Sequence, residues 1–361
     1  MANQFIWLTA VGNVFWQKIT IRTIKKIIMK IAKMKLQIPA LIAFLNISIV
    51  SAQTTPPPAS FQPVEASAAF DSIAFFKLFK SAFATTNGIK MHYVIGGTGK
   101  QVVVLVHGFP SDWYSWRKIM PVLAKEYTVI APDLRGLGLS DKPETGYSKK
   151  NLAADIHGLV HQLGYKDIYI AGYDFGGPVS FAYTSEYPED VRKLVMFECG
   201  GIAGFGLEKL MDVTHGGSWH FGFFMQPTFP EMLIKGRERE FFSEFAFGEI
   251  VKEKSAFTRA DIDHYLNNLA ASESLNALFQ YYRSYPQDVK DNLGFSKRKI
   301  TIPVLAMDGM FGGLTKKCLH PFATNLSGHV IKNAGHWLTE ERPNDILKQM
   351  IPFFNGKKLS L

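Results

Sequence analysis

The chain has 361 residues, of which 47% are hydrophobic and 20% charged, which is enough for one large or two moderate globular domains and excludes a wholly disordered protein. The formal net charge is +9, but seven basic residues lie within residues 1–52, where there is no Asp or Glu, so the rest of the chain carries the remaining +2. With this near-neutral balance and no zinc-finger spacing or RNA-binding motif, no nucleic-acid partner is predicted.

Residues 1–52 are predicted to be an N-terminal extension and secretory signal. Three lysines within residues 30–35 precede an apolar stretch at 36–50, and small residues end at Ala52, so cleavage would leave Gln53 first. An uncleaved membrane anchor is the alternative, but the apolar stretch is short for a membrane-spanning helix of ~20 residues. We therefore expect a secreted or periplasmic protein, with no stable membrane association after cleavage.

Residues 53–84 are predicted to be a linker and lead-in segment. The first part is rich in Thr, Pro, Ala and Ser, and Ala69 to Ala84 is interpreted as a short helix laid on the domain.

Residues 85–198 are predicted to be the first part of the core, in which strand patterns alternate with helix patterns. Short apolar runs typical of strands lie at 91–95, 101–107, 127–131, 168–171 and 193–197, and helical patterns lie at 116–125, 152–163 and 178–187.

The strand pattern stops after residue 198. Residues 199–299 contain helical stretches but no clear strand, which predicts a helical cap inserted into the core. The predicted cap helices are 231–247, 259–270 and 275–285. Residues 300–361 complete the core, with strands at 304–307 and 330–332 and a final helix at 343–354. The predicted fold is therefore α/β, with a mostly parallel, doubly wound sheet and an inserted helical cap.

Residues 172–177, with the sequence GYDFGG, lie between a predicted strand and a predicted helix. Small residues on both sides of one reactive side chain are typical of the nucleophile elbow of α/β-hydrolases, a turn too tight for larger neighbours. The reactive residue is Asp174, where esterases of this fold have Ser. A carboxylate needs no base to attack an sp3 carbon and forms an alkyl-enzyme ester. This favours substrates with a strained or good leaving group, such as an epoxide oxygen or a halide.

Hydrolysis of such an ester needs a general base, and His336 follows the last predicted strand. A carboxylate must orient that histidine. Glu198, at the end of the strand after the elbow, is favoured, and Asp308, directly after the strand at 304–307, is the alternative.

The ester's hydrolysis also places negative charge on a carboxylate oxygen. Backbone N–H groups of Phe109 and Phe175 are expected to hold that charge. Phe109 lies in the turn at 107–110, with the sequence HGFP, and Phe175 follows the nucleophile. His107, inside the same turn, is interpreted as structural.

Several of these runs resemble a known family. The turn at 107–110, the run DLRG at 133–136 and the elbow are similar to those of α/β-hydrolase-fold epoxide hydrolases. The runs WHFGFF at 219–224, FQYYR at 279–283 and GHWL at 335–338 resemble the secreted bacterial epoxide hydrolases of the Cif type. The resemblance covers roughly residues 85–355 and implies an α/β-hydrolase fold.

In that family a histidine and a tyrosine of the cap donate hydrogen bonds to the epoxide oxygen. The resemblance places these roles at His220 and Tyr282, and it places the acid of the triad at Glu198. Neighbouring residues on a helix point about 100° apart, so only one of Tyr281 and Tyr282 should face the pocket. The mechanism that these roles imply needs no metal and no organic cofactor, and a homodimer is expected by resemblance alone.

The leading hypothesis is an exported epoxide hydrolase that converts a small apolar epoxide and water to a vicinal diol through an ester of Asp174. A haloalkane dehalogenase is the nearest alternative, but Phe175 has no side-chain N–H for a halide. A non-catalytic secreted interaction protein is the other, against which the complete set of catalytic candidates argues. For Cys199 and Cys318, free buried thiols are favoured over a disulfide.

Overall fold

The computed structural model of the protein describes residues 64–65, 68–215, 217–269 and 272–356. The predicted extension and signal at 1–52, together with most of the predicted linker, lie outside the described residues. Within the part of the chain that the structure describes, no helix has the length and apolar composition needed to cross a membrane.

Eight strands form one sheet. They are β1 Phe79–Thr86, β2 Ile89–Gly96, β3 Val102–Val106, β4 Thr128–Pro132, β5 Ile168–Tyr173, β6 Val191–Phe197, β7 Val304–Asp308 and β8 Leu326–Val330. Their order across the sheet is β1-β2-β4-β3-β5-β6-β7-β8. The neighbouring strands from β4 through β3 to β8 all pair parallel. At the other side of the sheet, β2 pairs antiparallel with β4, and β1 pairs antiparallel with β2. The prediction of a mostly parallel, doubly wound sheet is therefore confirmed.

Helices connect the strands and build the cap. Those of the core are α1 Ser72–Leu78, α2 Met120–Leu123, α3 Lys149–Gln162 and α4 Gly176–Glu186 before the cap, and α12 Leu314–Leu319, α13 Leu338–Glu341 and α14 Pro343–Phe354 after it. Those of the cap are α5 Glu208–Met211, α6 His220–Phe224, α7 Phe229–Ile234, α8 Glu238–Glu244, α9 Arg259–Leu269, α10 Ser272–Arg283 and α11 Tyr285–Phe295.

The lead-in segment differs from its prediction. Instead of one helix over 69–84, α1 ends at Leu78 and β1 begins at once, so the expected start of the core at residue 85 falls inside a β-hairpin. Asn87 and Gly88 connect β1 to β2, with φ values of 46° and 79°. An Asn-Gly pair with positive φ at both residues is a strong hairpin signal, and it accounts for the turn here.

The predicted cap helix over 231–247 is also wrong as a single element. It is divided into α7 and α8 by Gly236, which has a φ of 81° that few other residues tolerate. A π-helical segment, Phe245–Glu249, then follows α8 directly. In addition, α11 was not predicted, although Pro286 stands in its first turn, where proline is well tolerated.

The last strand was misplaced by several residues. The prediction put it at 330–332, but β8 spans Leu326–Val330 and pairs only with β7 at the edge of the sheet. Most of its residues are half-buried, so it lacks the continuous apolar run that identified the inner strands.

Apolar packing on the parallel strands forms the core. Every residue of β3, β4 and β7 is buried, as expected for a parallel sheet covered by helices on both faces. The chain order reverses beside β3, because β4 lies on one side of it and β5 on the other. Open α/β sheets hold their ligands at the carboxyl ends of strands at such a reversal. Cys199 and Cys318 are free and buried, as predicted.

Candidate active site

Asp174 lies at the tip of a tight turn between β5 and α4. Its φ of 52° is unusual for a residue with a side chain. The turn is fixed from both sides, because the Asp174 N–H donates to the Phe197 carbonyl at 3.0 Å and its carbonyl accepts from the Gly177 N–H at 3.0 Å. A Cβ on Gly176 would lie 2.1 Å from the Val106 carbonyl oxygen. Glycine at this position therefore lets the turn approach β3 and hold Asp174 at the carboxyl end of the sheet.

His336 lies between two carboxylates. Its Nε2 is 3.3 Å from Asp174 Oδ2, and its Nδ1 is 3.2 Å from Glu198 Oε2. His336 follows β8 on a loop whose backbone is anchored to the cap, since the His336 N–H donates to the Ile250 carbonyl at 2.9 Å. The three residues predicted from strand ends are thus brought together in the chain order of nucleophile, acid and histidine.

Glu198 is oriented toward His336 by its backbone and by two amides. It directly follows β6 with a φ of 43° and is fully buried. Its Oε1 accepts hydrogen bonds from the N–H groups of Gly309 and Phe311. These donors leave Oε2 free for the histidine, and they explain how a buried carboxylate is tolerated here.

Asp308, the alternative acid, faces elsewhere. Its two carboxylate oxygens accept hydrogen bonds from the backbone N–H and the hydroxyl of Thr315, the second residue of α12. Burial, with the nearby charge of Glu198, raises its pKa to about 6 despite the Thr315 hydrogen bonds. Among the described residues no hydrogen bond joins Asp308 to His336, so the geometry supports Glu198 in that position.

The electrostatics of His336 depend on both carboxylates. Burial lowers the pKa of His336, but hydrogen bonds and charge from Asp174 and Glu198 outweigh burial and raise the pKa to about 9. At neutral pH the resting site therefore holds an imidazolium between two carboxylates. Removing the charge of either carboxylate should lower the pKa of the histidine.

This pKa predicts how the protein's stability depends on pH. A histidine with a raised pKa stabilises the fold fully below its unfolded value near 6.5 and loses that contribution as the pH rises through about 9. We expect the free energy of unfolding to fall by about 3 kcal/mol over this window from this group. Denaturant unfolding from pH 6 to 10, with NMR titration of the imidazole, measures it. In Asp174→Ala the slope should flatten, and an unchanged slope would contradict the assignment.

The backbone N–H groups of Phe109 and Phe175 are the two donors predicted to hold negative charge, and the structure shows a hydrogen bond to Asp174 from the first of them. The Phe109 N–H donates to Asp174 Oδ1 at 2.6 Å, while Oδ2 faces His336. Phe175 begins the turn into α4, and its ring lies in the cavity wall. His107 accepts from the Leu134 N–H at 2.9 Å through its Nε2 and is fully buried, which supports a structural role.

The cap places His220 and Tyr282 over the elbow. Their ring centroids are 5.8 Å apart, and both side chains line the same cavity as Asp174. The Tyr282 ring packs edge-on against Phe109 and Phe175, with centroid distances of 5.2 and 4.9 Å. No hydrogen-bond partner for its hydroxyl is found among the described residues, so the hydroxyl is available to a ligand.

Tyr281 points away from this cavity, as the helical spacing predicts. Its hydroxyl donates to the Arg135 carbonyl at 2.8 Å in the core, and its side chain is fully buried. Of the two neighbouring tyrosines, Tyr282 is therefore the one that faces Asp174.

Both cap side chains are neutral hydrogen-bond donors near neutral pH. Burial lowers the pKa of His220 to about 4, although the charge of Asp174 opposes it. Burial and the charge of Asp174 raise the pKa of the Tyr282 hydroxyl well above its ordinary value. Each group can donate a hydrogen bond to a ligand oxygen without a change in its own charge.

The cavity around these groups is apolar. Aromatic and aliphatic side chains from core and cap contribute most of its wall, including Phe109, Phe175, Leu207, Phe221, Phe245 and Phe311. Such a wall suits a small apolar ligand with one polar reacting group.

Sequence reasoning did not identify several residues of this site. Phe245, Ile250 and Met310 line the cavity from the π-helical segment, the loop after it and the loop after β7. No local pattern separates an apolar side chain that faces a cavity from one that packs in the core. The amide donors at Gly309 and Phe311 were missed because backbone groups carry no residue-type signal.

Comparison with known proteins agrees with this architecture. Residues 101–203 match the family model described as alpha/beta hydrolase fold. The soluble epoxide hydrolase of Corynebacterium sp. (strain C12) is 33% identical to this chain over 282 residues, covering 75% of this chain and 96% of that protein.

Solved structures give the same picture. Cfl2 from Burkholderia cenocepacia superposes with a TM-score of 0.70 at 31% identity, covering 77% of this chain and 96% of that chain. The Cif epoxide hydrolase from Acinetobacter nosocomialis superposes with a TM-score of 0.69 at 26% identity, covering 80% of this chain and 91% of that chain.

Proposed function

The chain belongs to the α/β-hydrolase fold family that includes the Corynebacterium soluble epoxide hydrolase, and from that premise we propose that it converts an apolar epoxide to a vicinal diol. The observation that carries the proposal is the arrangement around Asp174. One carboxylate oxygen is held by the Phe109 amide, the other faces His336, and the Asp174 side chain lines the same apolar cavity as His220 and Tyr282. This arrangement pairs a nucleophile with two donors for a departing oxygen.

In the first step, Asp174 Oδ2 attacks an epoxide carbon. The new C–O bond forms as the bond from that carbon to the epoxide oxygen breaks. The hydroxyl of Tyr282 and an N–H of His220 donate to the epoxide oxygen, which takes the Tyr282 proton as the ring opens and becomes an alcohol. The proton that His336 gives up after Asp174 is esterified restores the Tyr282 hydroxyl, so His336 is neutral when the second step begins. The product of this step is a hydroxyalkyl ester of Asp174.

In the second step, His336 removes a proton from a water that attacks the ester carbonyl carbon. Esterification has by then neutralised Asp174, so the pKa of His336 should fall and its imidazole becomes available as a base. Glu198 stabilises the imidazolium that forms. The Phe109 amide, with the Phe175 amide as its proposed partner, holds the oxyanion of the tetrahedral intermediate. The bond between the carbonyl carbon and the substrate oxygen then breaks, and that oxygen takes the proton of the newly added hydroxyl and leaves as the diol. This restores the Asp174 carboxylate beside the His336 imidazolium.

The haloalkane dehalogenase alternative has less support. A halide needs N–H donors beside the nucleophile, and Phe175 offers only a ring at that position. Trp219 has an N–H, but its side chain is 45% exposed and does not line the cavity. The two donors that do line it, His220 and Tyr282, suit an oxygen that must be protonated.

Trapping the ester tests the proposal. We expect Glu198→Gln to attack normally but to hydrolyse the ester slowly, because His336 loses its orienting charge. Purified protein would be mixed separately with 1,2-epoxyhexane and 1-bromohexane and examined by intact-protein and peptide mass spectrometry. A hydroxyalkyl adduct on the peptide that contains Asp174 is the expected result.

Asp308→Asn is the matched control for that experiment. It changes the other strand-end carboxylate, so it should lower thermal stability through the lost Thr315 contacts yet accumulate no adduct. An alkyl adduct from the bromide alone would make the protein a dehalogenase. If neither compound, nor a wider panel of epoxides, gave an adduct or a diol, the non-catalytic alternative would replace the proposal.

Export is proposed from the sequence of residues 1–52 alone. Expression of the full chain in a bacterial host, followed by fractionation and N-terminal sequencing, tests it. We expect a mature protein outside the cytoplasm that begins at Gln53. An uncleaved chain in the membrane fraction would support an anchor instead.

A further inference from the structure

A second cluster of polar side chains lies away from the cavity, on α3. His157 and His161 are four residues apart and therefore share one face of that helix. Their Nε2 atoms lie 3.5 and 2.7 Å from the same carboxylate oxygen, Asp190 Oδ2. Asp190 directly precedes β6, whereas Glu198 directly follows it. The cluster therefore lies at the amino ends of the strands, whereas the candidate active site lies at their carboxyl ends.

Asp190 and His157 are each held in place by neighbours outside the cluster. The backbone of Asp190 is tied at both ends, because its N–H donates to the Tyr187 carbonyl at 3.2 Å and its carbonyl accepts from the Ile168 N–H at 2.8 Å. The Tyr183 hydroxyl donates to Asp190 Oδ2 at 3.2 Å. The ring of Tyr187 stacks on His157 with a centroid distance of 3.7 Å. Such outer contacts are what orient the ligands of metal sites in proteins.

Hydrogen bonding alone does not account for the arrangement. His161 is within hydrogen-bond distance of the carboxylate, but His157, at 3.5 Å, is too far for a good one. Ligand atoms around a tetrahedral Zn²⁺ lie about 3.4 Å apart, given bonds of about 2.1 Å. Both distances to Asp190 Oδ2 lie within about 1 Å of this value, and the ligand atoms of the three residues all lie within 4.8 Å of one another.

Accessibility and charge also suit a metal ion. The side chains of His157 and His161 are 27% and 34% exposed, which gives an ion a path of entry and leaves room for a water ligand. Asp190 is only 4% exposed and so supplies a carboxylate whose hydration is incomplete.

We propose that His157, His161 and Asp190 bind a divalent transition-metal ion, with Zn²⁺ the first choice for two imidazoles and one carboxylate. Water completes the coordination. The ion would join α3 to the segment before β6, so its effect is expected on stability. The proposal does not depend on the enzymatic activity.

Zinc binding by the purified protein tests this inference. The full chain, with any histidine tag removed, would be dialysed against EDTA and then titrated with Zn²⁺ in competition with a chromophoric chelator. We expect one ion per chain and a higher melting temperature with zinc. The variants His157→Gln and His161→Gln should each weaken binding by about tenfold or more, in line with the loss of one of three protein ligands.

Two further variants separate this site from others. His329→Gln removes a histidine of β8, and His336→Gln removes the histidine of the candidate active site; both should bind zinc like the unchanged protein. Circular dichroism would verify that each variant is folded. The proposal is overturned by the absence of stoichiometric binding, by binding that survives His157→Gln and His161→Gln unchanged, or by binding that is lost in His336→Gln.

Discussion

Replacing Asp174 by Ala is expected to lower kcat/KM for an epoxide by about four orders of magnitude or more, because covalent catalysis ends with the nucleophile. No neighbouring group can take over. Glu198 is fully buried, with Oε1 bound to backbone amides and Oε2 facing His336. Asp308 is bound to Thr315. Steady-state kinetics on 1,2-epoxyhexane measures the loss of kcat/KM, and mass spectrometry measures the loss of the covalent adduct.

The fold should survive this substitution. A non-glycine residue with a φ of 52° is strained, and Ala there costs on the order of 1–2 kcal/mol without a polar side chain to compensate. At high pH the unchanged protein has itself lost the His336 contribution to stability, so the two proteins should then differ mainly by this backbone cost. Thermal unfolding and circular dichroism would verify the fold. Activity within about tenfold of the unchanged protein would place the nucleophile elsewhere.

The fold could be predicted where burial is uniform. The inner strands appear in the sequence as continuous apolar runs because both faces of β3, β4 and β7 are covered. The edge strands lack such continuous apolar runs because they are less buried. Only the two end residues of β1 are buried, with exposed and half-buried residues between them, and β8 is mostly half-buried, so neither gives an uninterrupted apolar run.

The site could be predicted only in part. Asp174 stands out because the elbow is a local motif, and the spacing of small residues reports a tight turn. The sequence favours Glu198 as the acid but leaves Asp308 as an alternative, because both are acids at the carboxyl ends of neighbouring strands. Backbone direction makes the difference, since Glu198 has a φ of 43° and Asp308 still belongs to β7.

The cap residues lay beyond any local pattern. His220 and Tyr282 come from α6 and α10, and only packing of the cap brings their rings within 5.8 Å. Resemblance to a family identified them, while their spacing did not. Their function as a pair is therefore best tested directly.

The double variant His220→Phe with Tyr282→Phe is expected to lower the rate of ester formation by about 10⁴-fold, and each single change by about 10²-fold. The physical reason is that both groups donate to one oxygen, which otherwise leaves as an unsupported alkoxide. Phe preserves the aromatic packing at both positions, since His220 contacts Phe245 at a centroid distance of 4.9 Å and Tyr282 packs on Phe109. Rapid-quench single-turnover experiments with 1,2-epoxyhexane measure this step.

Tyr281→Phe is the matched control. It removes the adjacent tyrosine's hydroxyl, whose hydrogen bond goes to the Arg135 carbonyl, so it should lower stability while leaving ester formation within about threefold. A second readout separates ring opening from general damage to the site. Hydrolysis of an ester already formed depends on His336 and not on the cap donors, so its rate should be nearly unchanged in both single variants. Equal losses in ester formation and hydrolysis would mean that the two cap residues shape the cavity and do not assist the leaving oxygen.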